Sequence, residues 1–267
     1  MEYDDYSGWD ENAGADDSYE EKVHETLIDI FEKAQKKVFF SRQLEVRLEN
    51  DYFHWITNRA IRRLAVERRI KDERRQLQSS GEIHLLWHPS FRYYKREAAT
   101  VVKLVEEYSN PNIAGAIGLH GETMVLEGFA RHQFVMKGRN TRSYGGKEWT
   151  KTDHNLDFIF ERNGRAYGVE VKNTLGYMEQ NELQMKIEMC KWLGIKAVFV
   201  ARMLPRTWIN ELNQNGGFAL ILKFQLYPWT HKDIATRVAR ALGLPVDAPK
   251  ALADGTMARF IQWHERM

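Results

Sequence analysis

Residues Asn155–Asn173 read NLDFIFERNGRAYGVEVKN, and this pattern predicts a tight β-hairpin. Asn163-Gly164 at its centre favours a two-residue type I′ turn, because both turn positions need a positive φ. With this turn in place, Asp157 lies opposite Glu170. The turn therefore predicts which side chains of the two strands are neighbours.

Strand alternation divides the hairpin into two faces. One face carries Asp157, Glu170 and Lys172. The other face is apolar and carries Leu156, Phe158, Phe160, Val169 and Val171. Two carboxylates directly across a strand pair lie roughly 5 Å apart and repel each other unless a cation lies between them. Mg²⁺ or Mn²⁺ suits such oxygen ligands, and an ammonium is suited to holding a phosphate oxygen or a water molecule. The alternative is a solvent-facing strand, because Glu-x-Lys is a common surface pattern.

Helices and strands are predicted on both sides of the hairpin. A helix from Gly118 through Arg131 precedes it. The following segments are predicted as helices over 177–193, 205–213, 230–242 and 255–265, and as strands over 196–201 and 218–225. This alternation predicts an α/β domain with a mixed sheet flanked by helices. Tyr227-Pro228-Trp229 is either an interaction patch or part of the packing, and packing is the simpler interpretation.

The order Asp, hairpin, Glu-x-Lys resembles the PD-(D/E)xK nuclease superfamily, which includes restriction endonucleases and archaeal Holliday-junction resolvases. Here it stands as Asn155-Leu156-Asp157 followed by Glu170-Val171-Lys172, without the proline of the family name. The resemblance covers about residues 113–201. It implies a restriction-endonuclease-like fold and metal-assisted phosphodiester hydrolysis.

The resemblance also implies roles for particular residues. Asp157, Glu170 and the Val171 carbonyl would hold Mg²⁺ or Mn²⁺, and Lys172 would stabilise the developing charge. Family members carry a further Glu on the opening helix, which corresponds here to Glu122.

Three further assignments stay open. Glu127, one turn beyond Glu122, is the less favoured candidate for the glutamate of the opening helix. Gln184 and Lys186 lie where some subfamilies carry another polar active-site residue. Gln184 is the one assigned here, and plain helix surface is the alternative for both. His154 is either a catalytic base or a surface histidine.

The front of the chain predicts a winged helix. Helices are expected over 21–36, from Ser41 as the N-cap to the Asn50-Asp51 turn, and over 52–70, with an extended run at 38–40. Strands over 71–78 and 82–88, joined by Ser79-Ser80-Gly81, form the wing. In such a domain the third helix enters the major groove of DNA and the wing contacts the backbone.

Basic residues are concentrated in this third helix and the wing. Between Arg59 and Arg75 there are eight Lys or Arg residues against three acidic ones. The predicted DNA contacts are Arg59, Arg62, Arg63, Arg69, Arg74 and Arg75. A solvated helix face and a protein-docking winged helix are the alternatives.

A second basic segment precedes the Asp157 strand. It is predicted to be a mobile loop that contacts the substrate backbone. Its basic residues are Lys137, Arg139, Arg142, Lys147 and Lys151. An ordinary solvated loop is the alternative.

The predicted organisation has four parts: an acidic, disordered tail over 1–20, the winged helix over 21–92, a linker helix over 93–112, and the nuclease domain with a C-terminal extension over 113–267. Residues 1–21 carry nine carboxylates and no Lys or Arg, so the remainder is at +11 while the whole chain is at +2. That positive charge suits a nucleic-acid partner.

The expected function is a Mg²⁺- or Mn²⁺-dependent DNA endonuclease acting on duplex or branched DNA, with a homodimer favoured for cutting both strands. The chain has one cysteine and no apolar run long enough for a membrane span, so a cytoplasmic or nucleoid-associated protein is expected. The alternatives are a catalytically silent DNA-binding protein and a subunit that cuts only within a larger complex. An RNA substrate is a further alternative.

Overall fold

The computed structural model describes residues 17–78 and 81–267. Most of the predicted acidic tail, and Ser79-Ser80 of the predicted wing loop, lie outside these ranges. Residues 17–20 of that tail are helical, so the first helix begins four residues earlier than predicted. The chain divides into two compact units. The first unit comprises the described residues up to Ala114 together with Thr236–Leu244, and the second comprises Gly115–Ala235 and Pro245–Met267.

The first unit begins with helices and short strands in alternation. Its elements are α1 (Asp17–Lys33), β1 (Val38–Phe40), α2 (Ser41–Leu48), α3 (His54–Val66), β2 (Lys71–Gln76), β3 (Glu82–Trp87) and α4 (Lys95–Tyr108). The strands form an antiparallel sheet in the order β1-β3-β2. The apolar residues of α1 and α3 meet in one core, which includes Leu27, Phe31, Ala60 and Leu64.

The start of α2 differs from the prediction. Ser41 is the first helical residue, and Phe40 occupies the N-cap position. The side chain of Gln43 accepts a hydrogen bond from the Phe40 N–H (3.0 Å) and donates one to the Leu242 carbonyl (2.8 Å). A tertiary contact through Gln43 thus replaces the local serine cap.

The second unit is built on a mixed sheet. Its elements are α5 (Pro111–Arg131, which begins in the first unit), β4 (Val135–Thr141), β5 (Ser143–Tyr144), β6 (Lys147–Glu148), β7 (Leu156–Arg162), β8 (Arg165–Lys172), α6 (Gln180–Leu193), β9 (Lys196–Ala201), α7 (Arg206–Gln214), β10 (Phe218–Ile221), β11 (Gln225–Leu226), α8 (Lys232–Leu242, which ends in the first unit), β12 (Val246–Asp247) and α9 (Asp254–Glu265). The sheet order is β10-β9-β8-β7-β4. Strands β4, β7 and β8 are antiparallel neighbours, whereas β8, β9 and β10 are parallel. The predicted α/β class with a mixed sheet is confirmed.

The hairpin turn has the predicted geometry. Asn163 and Gly164 have φ values of 53° and 71°. The register follows, with Phe158 opposite Val169. This pair is the last of the β7–β8 ladder, so Asp157 lies just beyond it.

Both faces of the sheet are covered. One core contains Phe158, Phe160 and Val169. A second core, on the α6 side, contains Ile159 and also Leu156. The predicted grouping of Leu156 with Phe158 is therefore wrong.

The predicted mobile basic loop is regular structure instead. Lys137 and Arg139 lie on β4, an edge strand paired with β7, and Lys147 lies in the β5–β6 hairpin. The β4–β7 register shifts between Met136 and Gly138, which is a β-bulge. Within the described ranges, no helix is long and apolar enough to cross a membrane.

Candidate active site

Two strand ends and two helices carry the candidate site. Asp157 lies at the start of β7, and Glu170 and Lys172 lie at the end of β8. Glu122 lies on α5 and Lys186 on α6. The hairpin register brings Asp157 beside β8, because its Oδ2 accepts a hydrogen bond from the backbone N–H of Val171 (2.7 Å).

The Asp157 carboxyl lies in a region of excess negative charge. Burial raises the pKa of Asp157 to about 6, and repulsion from Glu170 and Glu122 adds to this effect. The Val171 N–H and Lys186 act in the opposite direction but do not cancel it. Buried groups with shifted pKa values cluster at functional sites, so this carboxyl is a candidate for chemistry.

Glu170 is held between two lysines. Its side chain is 5% exposed, and its Oε2 lies 2.6 Å from the Lys186 Nζ. Its Oε1 lies 3.2 Å from the Lys172 Nζ. Lys186 also donates to the carbonyl of Asn155, two residues before Asp157. The two ammonium groups offset the cost of burying the Glu170 charge.

Lys172 bridges two carboxylates. Its Nζ lies 2.6 Å from Glu182 Oε1 as well as 3.2 Å from Glu170 Oε1. Burial lowers the pKa of Lys172, but attraction to Glu170 and hydrogen bonding to Glu182 outweigh it, so the net shift is upward. Lys172 is therefore a cation at neutral pH.

Glu122 lies at the margin of the site. Its Oε2 is 3.2 Å from the Nη2 of Arg139 on β4, and its side chain is 25% exposed. Its charge contributes to the raised pKa of Asp157, which means that the two carboxylates interact electrostatically. Glu127, the less favoured candidate, pairs with Arg131 on its own helix at 2.5 Å.

Helix α6 contributes Lys186 and Glu182 to this cluster. These two residues are four apart and so share a helix face. Gln184 lies two residues from each, which is about 200° around the helix, and its side chain is exposed. The predicted Gln184 is therefore not among the residues that the fold brings together. Sequence reasoning missed Glu182, although its four-residue spacing from Lys186 was a usable signal.

The donor chemistry of the site fits a hard divalent cation. Asp157, Glu170 and the Val171 carbonyl are oxygen donors, and a cation would offset the burial and the carboxylate repulsion that raise the pKa of Asp157. Across residues 17–78 and 81–267, no group of three or more His, Cys, Asp or Glu side chains is arranged to hold a metal ion. Coordination here would therefore need the backbone carbonyl and water, and Mg²⁺ usually keeps several waters.

The predicted DNA-binding arginines of α3 are partly engaged within the first unit. Arg59 lies 3.0 Å from Glu20, and Arg63 lies 2.7 Å from Glu21, both on α1. Arg62 is exposed.

The arginines beyond α3 lie at the surface of the first unit. Arg69 precedes β2 and is exposed. On β2, Arg74 lies 3.7 Å from Glu82, and Arg75 pairs with Glu73.

The basic residues on β4 and the β5–β6 hairpin also have partners. Lys137 lies 3.8 Å from Glu161, and Arg142 lies 3.2 Å from Glu148. Lys147 donates to the carbonyl of Trp192 at 3.3 Å. These are exposed contacts, and such ion pairs contribute little to stability.

The histidine near the site is a surface residue. His154 is exposed, and its Nδ1 lies 2.9 Å from the hydroxyl of Thr152. This position favours the surface interpretation over a catalytic base.

Comparison of the chain with protein-family models, with curated proteins and with solved structures gives no match. The functional assignment therefore depends on the chemistry of the site itself.

Proposed function

We propose that this protein is a Mg²⁺- or Mn²⁺-dependent endodeoxyribonuclease whose active site is centred on Asp157, Glu170 and Lys172. One observation carries the proposal: two neighbouring carboxylates lie at the end of a β-hairpin, one with its pKa raised to about 6 and the other nearly buried between two lysines. Burying charged groups costs stability, and buried groups with shifted pKa values are typical of catalytic sites.

The residues divide the chemistry between them. Asp157, Glu170 and the Val171 carbonyl would hold the divalent cation, with Glu122 acting through water. When bound, that cation would lower the pKa of an attacking water and neutralise charge on the scissile phosphate. Lys172 presents a positive charge to the phosphate as negative charge develops. Lys186 acts indirectly, since it positions Glu170 and the Asn155 carbonyl.

DNA binding is the second part of the proposal. The order α1-β1-α2-α3-β2-β3 in the first unit, with its three strands in one antiparallel sheet, supports a winged helix. Arg62, Arg68 and Arg69 are exposed basic residues in and just after α3, and the exposed Arg63 pairs with Glu21 and Glu67. Duplex DNA would bind there through phosphate contacts that weaken as salt increases.

Cleavage of supercoiled plasmid tests the catalytic part. The purified chain is incubated with Mg²⁺, Mn²⁺ or EDTA, next to Asp157→Asn, Lys172→Met and the control Glu127→Gln. We expect nicked or linear product with either metal and none with EDTA. The two site variants should lose at least about 100-fold in rate, and the control should match wild type. Metal-dependent cleavage that persists in Asp157→Asn would reject this site.

A second function is favoured by one specific observation. Both carboxylate oxygens of Glu170 already face lysines, and the described residues contain no ready-made group of three metal-binding side chains. A DNA-binding subunit that is catalytically silent, or that cuts only with a partner, fits these facts. Tight DNA binding by wild type, with no cleavage under any metal, would move this alternative ahead.

Oligomeric state is part of the same experiment. Each chain offers one candidate site, and cutting both strands with one site per chain favours a homodimer. We expect the ratio of linear to nicked product to rise with protein concentration, and sedimentation in the presence of DNA to show two chains per duplex.

A further inference from the structure

Trp229 is an unusually placed aromatic residue in the second unit. It begins a short 3-10 turn between β11 and α8, and 54% of its side chain is exposed. Tyr227, two residues earlier, is fully buried. The two aromatic residues of this segment therefore differ in burial: Tyr227 packs in the core, and Trp229 faces solvent.

Two ammonium groups lie against the exposed indole. The Lys232 Nζ is 4.2 Å and the Lys250 Nζ is 5.4 Å from the centroid of the ring. Both lysines are exposed, and they come from different segments of the chain. The result is a surface on which an aromatic face is combined with positive charge.

Hydrogen bonds connect the segment that carries this surface to the end of β8, where the candidate active site lies. Asn173 directly follows Lys172, and its side chain makes two hydrogen bonds of 2.7 Å to the backbone N–H and carbonyl of Leu226. Trp229 is three residues beyond Leu226, so it lies within roughly 11 Å of chain from that anchor. The indole is therefore in the neighbourhood of the candidate active site.

An exposed aromatic ring beside two lysines suits single-stranded nucleic acid. Bases of single-stranded nucleic acid stack on exposed aromatic rings, and neighbouring lysines contact the phosphates on either side. A base can take the place of a lysine on the ring face, because the ammonium is carried on a flexible four-carbon stem and can move to a phosphate. Paired bases in a duplex are already stacked and do not present a free face.

We propose that Trp229, Lys232 and Lys250 form a stacking platform for an unpaired nucleotide of DNA. With the proposed function, on which this step rests, the substrate class becomes DNA that carries a single-stranded segment next to the cleavage point, such as a tailed or branched duplex.

Binding measured in EDTA tests the platform without any cleavage. Fluorescein-labelled dT15, a blunt duplex and the same duplex with a dT tail are titrated with full-length protein while anisotropy is recorded. The variants are Trp229→Ala and, as its control, Trp192→Ala, which removes another half-exposed tryptophan of the same unit. Circular dichroism confirms that both variants are folded.

We expect Trp229→Ala to weaken binding of dT15 and of the tailed duplex about 10-fold. Binding of the blunt duplex should not change, and Trp192→Ala should match wild type on all three ligands. Lys232→Gln/Lys250→Gln should reduce the salt slope for dT15 by about 1.4, as expected for two lost phosphate contacts. Lys191→Gln, which removes another exposed lysine, should leave that slope unchanged.

Three results overturn the platform: wild type that does not bind dT15, Trp229→Ala that binds dT15 like wild type, or an equal loss on the blunt and the tailed duplex. The plasmid assay is independent of these results. Wild type without nuclease activity but with the expected binding pattern rejects the proposed enzyme and keeps the platform as a single-strand binding site. If wild type cleaves plasmid and Trp229→Ala binds dT15 like wild type, the proposed enzyme stands and the platform is rejected.

Discussion

At the scale of single residues, the main feature is the difference in environment between two neighbouring carboxylates. Glu170 is nearly buried but lies within 3.2 Å of two lysines. Asp157 accepts one backbone hydrogen bond and has a raised pKa. Neighbouring acids whose surroundings differ in this way can take different roles in one site.

Asp157→Asn should stabilise the protein at neutral pH. The folded pKa of about 6 exceeds the usual value of 3.8 for an aspartate, so the neutral carboxyl is favoured in the folded state. Stability from this group is fully present below about pH 4 and is lost as the pH rises through about 6. Asparagine mimics the neutral form and can still accept the Val171 hydrogen bond.

We expect the Asn variant to be more stable than wild type by about 1–3 kcal/mol at pH 7.5, with the difference vanishing near pH 4. Urea unfolding at both pH values in EDTA measures this. A variant less stable than wild type at pH 7.5 would show that the pKa of Asp157 is not raised in the folded state.

Lys186→Met should be strongly destabilising. It leaves the buried side of Glu170 without its ammonium partner at 2.6 Å, and breaking a buried ion pair costs about 3–5 kcal/mol. The exposed Gln184→Met on the same helix should change stability by less than about 0.5 kcal/mol.

Adding Glu170→Gln to Lys186→Met should restore part of the lost stability, because the unpaired charge is then removed. Urea unfolding of the two single variants and the double variant completes the cycle. If the double variant is as unstable as the sum of the singles, Lys186 acts through packing rather than charge.

At the scale of secondary-structure elements, the β7–β8 hairpin organises the second unit. Its turn sets the register, and the register brings Asp157 beside the end of β8. Parallel pairing of β8 with β9 extends as far as Lys172. Helix α6 connects these two strands and supplies Lys186 and Glu182 to the same end.

Gly164→Ala tests how much the conformation of the turn contributes to the stability of the protein. A Cβ at Gly164 would meet nothing within 4 Å, but its φ of 71° is unfavourable for alanine. We expect a loss of about 1 kcal/mol in the free energy of unfolding from backbone strain alone.

Gly115→Ala on α5 is the matched control. A Cβ there also meets nothing within 4 Å, and the residue is helical. Alanine should therefore stabilise the protein by about 0.5–1 kcal/mol. Thermal unfolding of both variants gives the sign of each change in stability. Equal changes at the two glycines would contradict the explanation by backbone conformation.

At the scale of the whole molecule, the division into units does not follow chain order alone. Thr236–Leu244 groups with the first unit although most of the chain beyond Gly115 belongs to the second. Val238 is fully buried, and the Leu242 carbonyl accepts the Gln43 hydrogen bond. The predicted start of the second domain at residue 113 lies close to the observed division after Ala114, but the prediction did not include this returning segment.

Val238→Ala should destabilise the first unit by about 1–2 kcal/mol through the lost apolar burial. The control is Arg237→Gln, whose exposed ion pair with Glu107 should be worth less than about 1 kcal/mol. Hydrogen exchange followed by mass spectrometry on α2 and α3 reports the change. If Val238→Ala leaves protection there unchanged, this segment does not stabilise the first unit.

The amino-acid sequence by itself determined the local features of this protein. The Asn163-Gly164 turn, the register through Phe158 and Val169, and the strand Lys196–Ala201 match their predictions. The physical reason is that turn conformation and strand alternation depend on adjacent residues, and those are fully visible in the sequence.

Only the tertiary structure decided which distant residues meet. The replacement of Ser41 by Gln43 as the cap of α2, the selection of Lys186 over Gln184, and the return of Thr236–Leu244 to the first unit all depend on contacts between segments far apart in the chain. The same holds for the pairing of basic residues on β4, which the sequence presented as a loop. Periodicity shows which face of an element is apolar, but the partner of that face is fixed by packing, and packing has no local signature in the sequence.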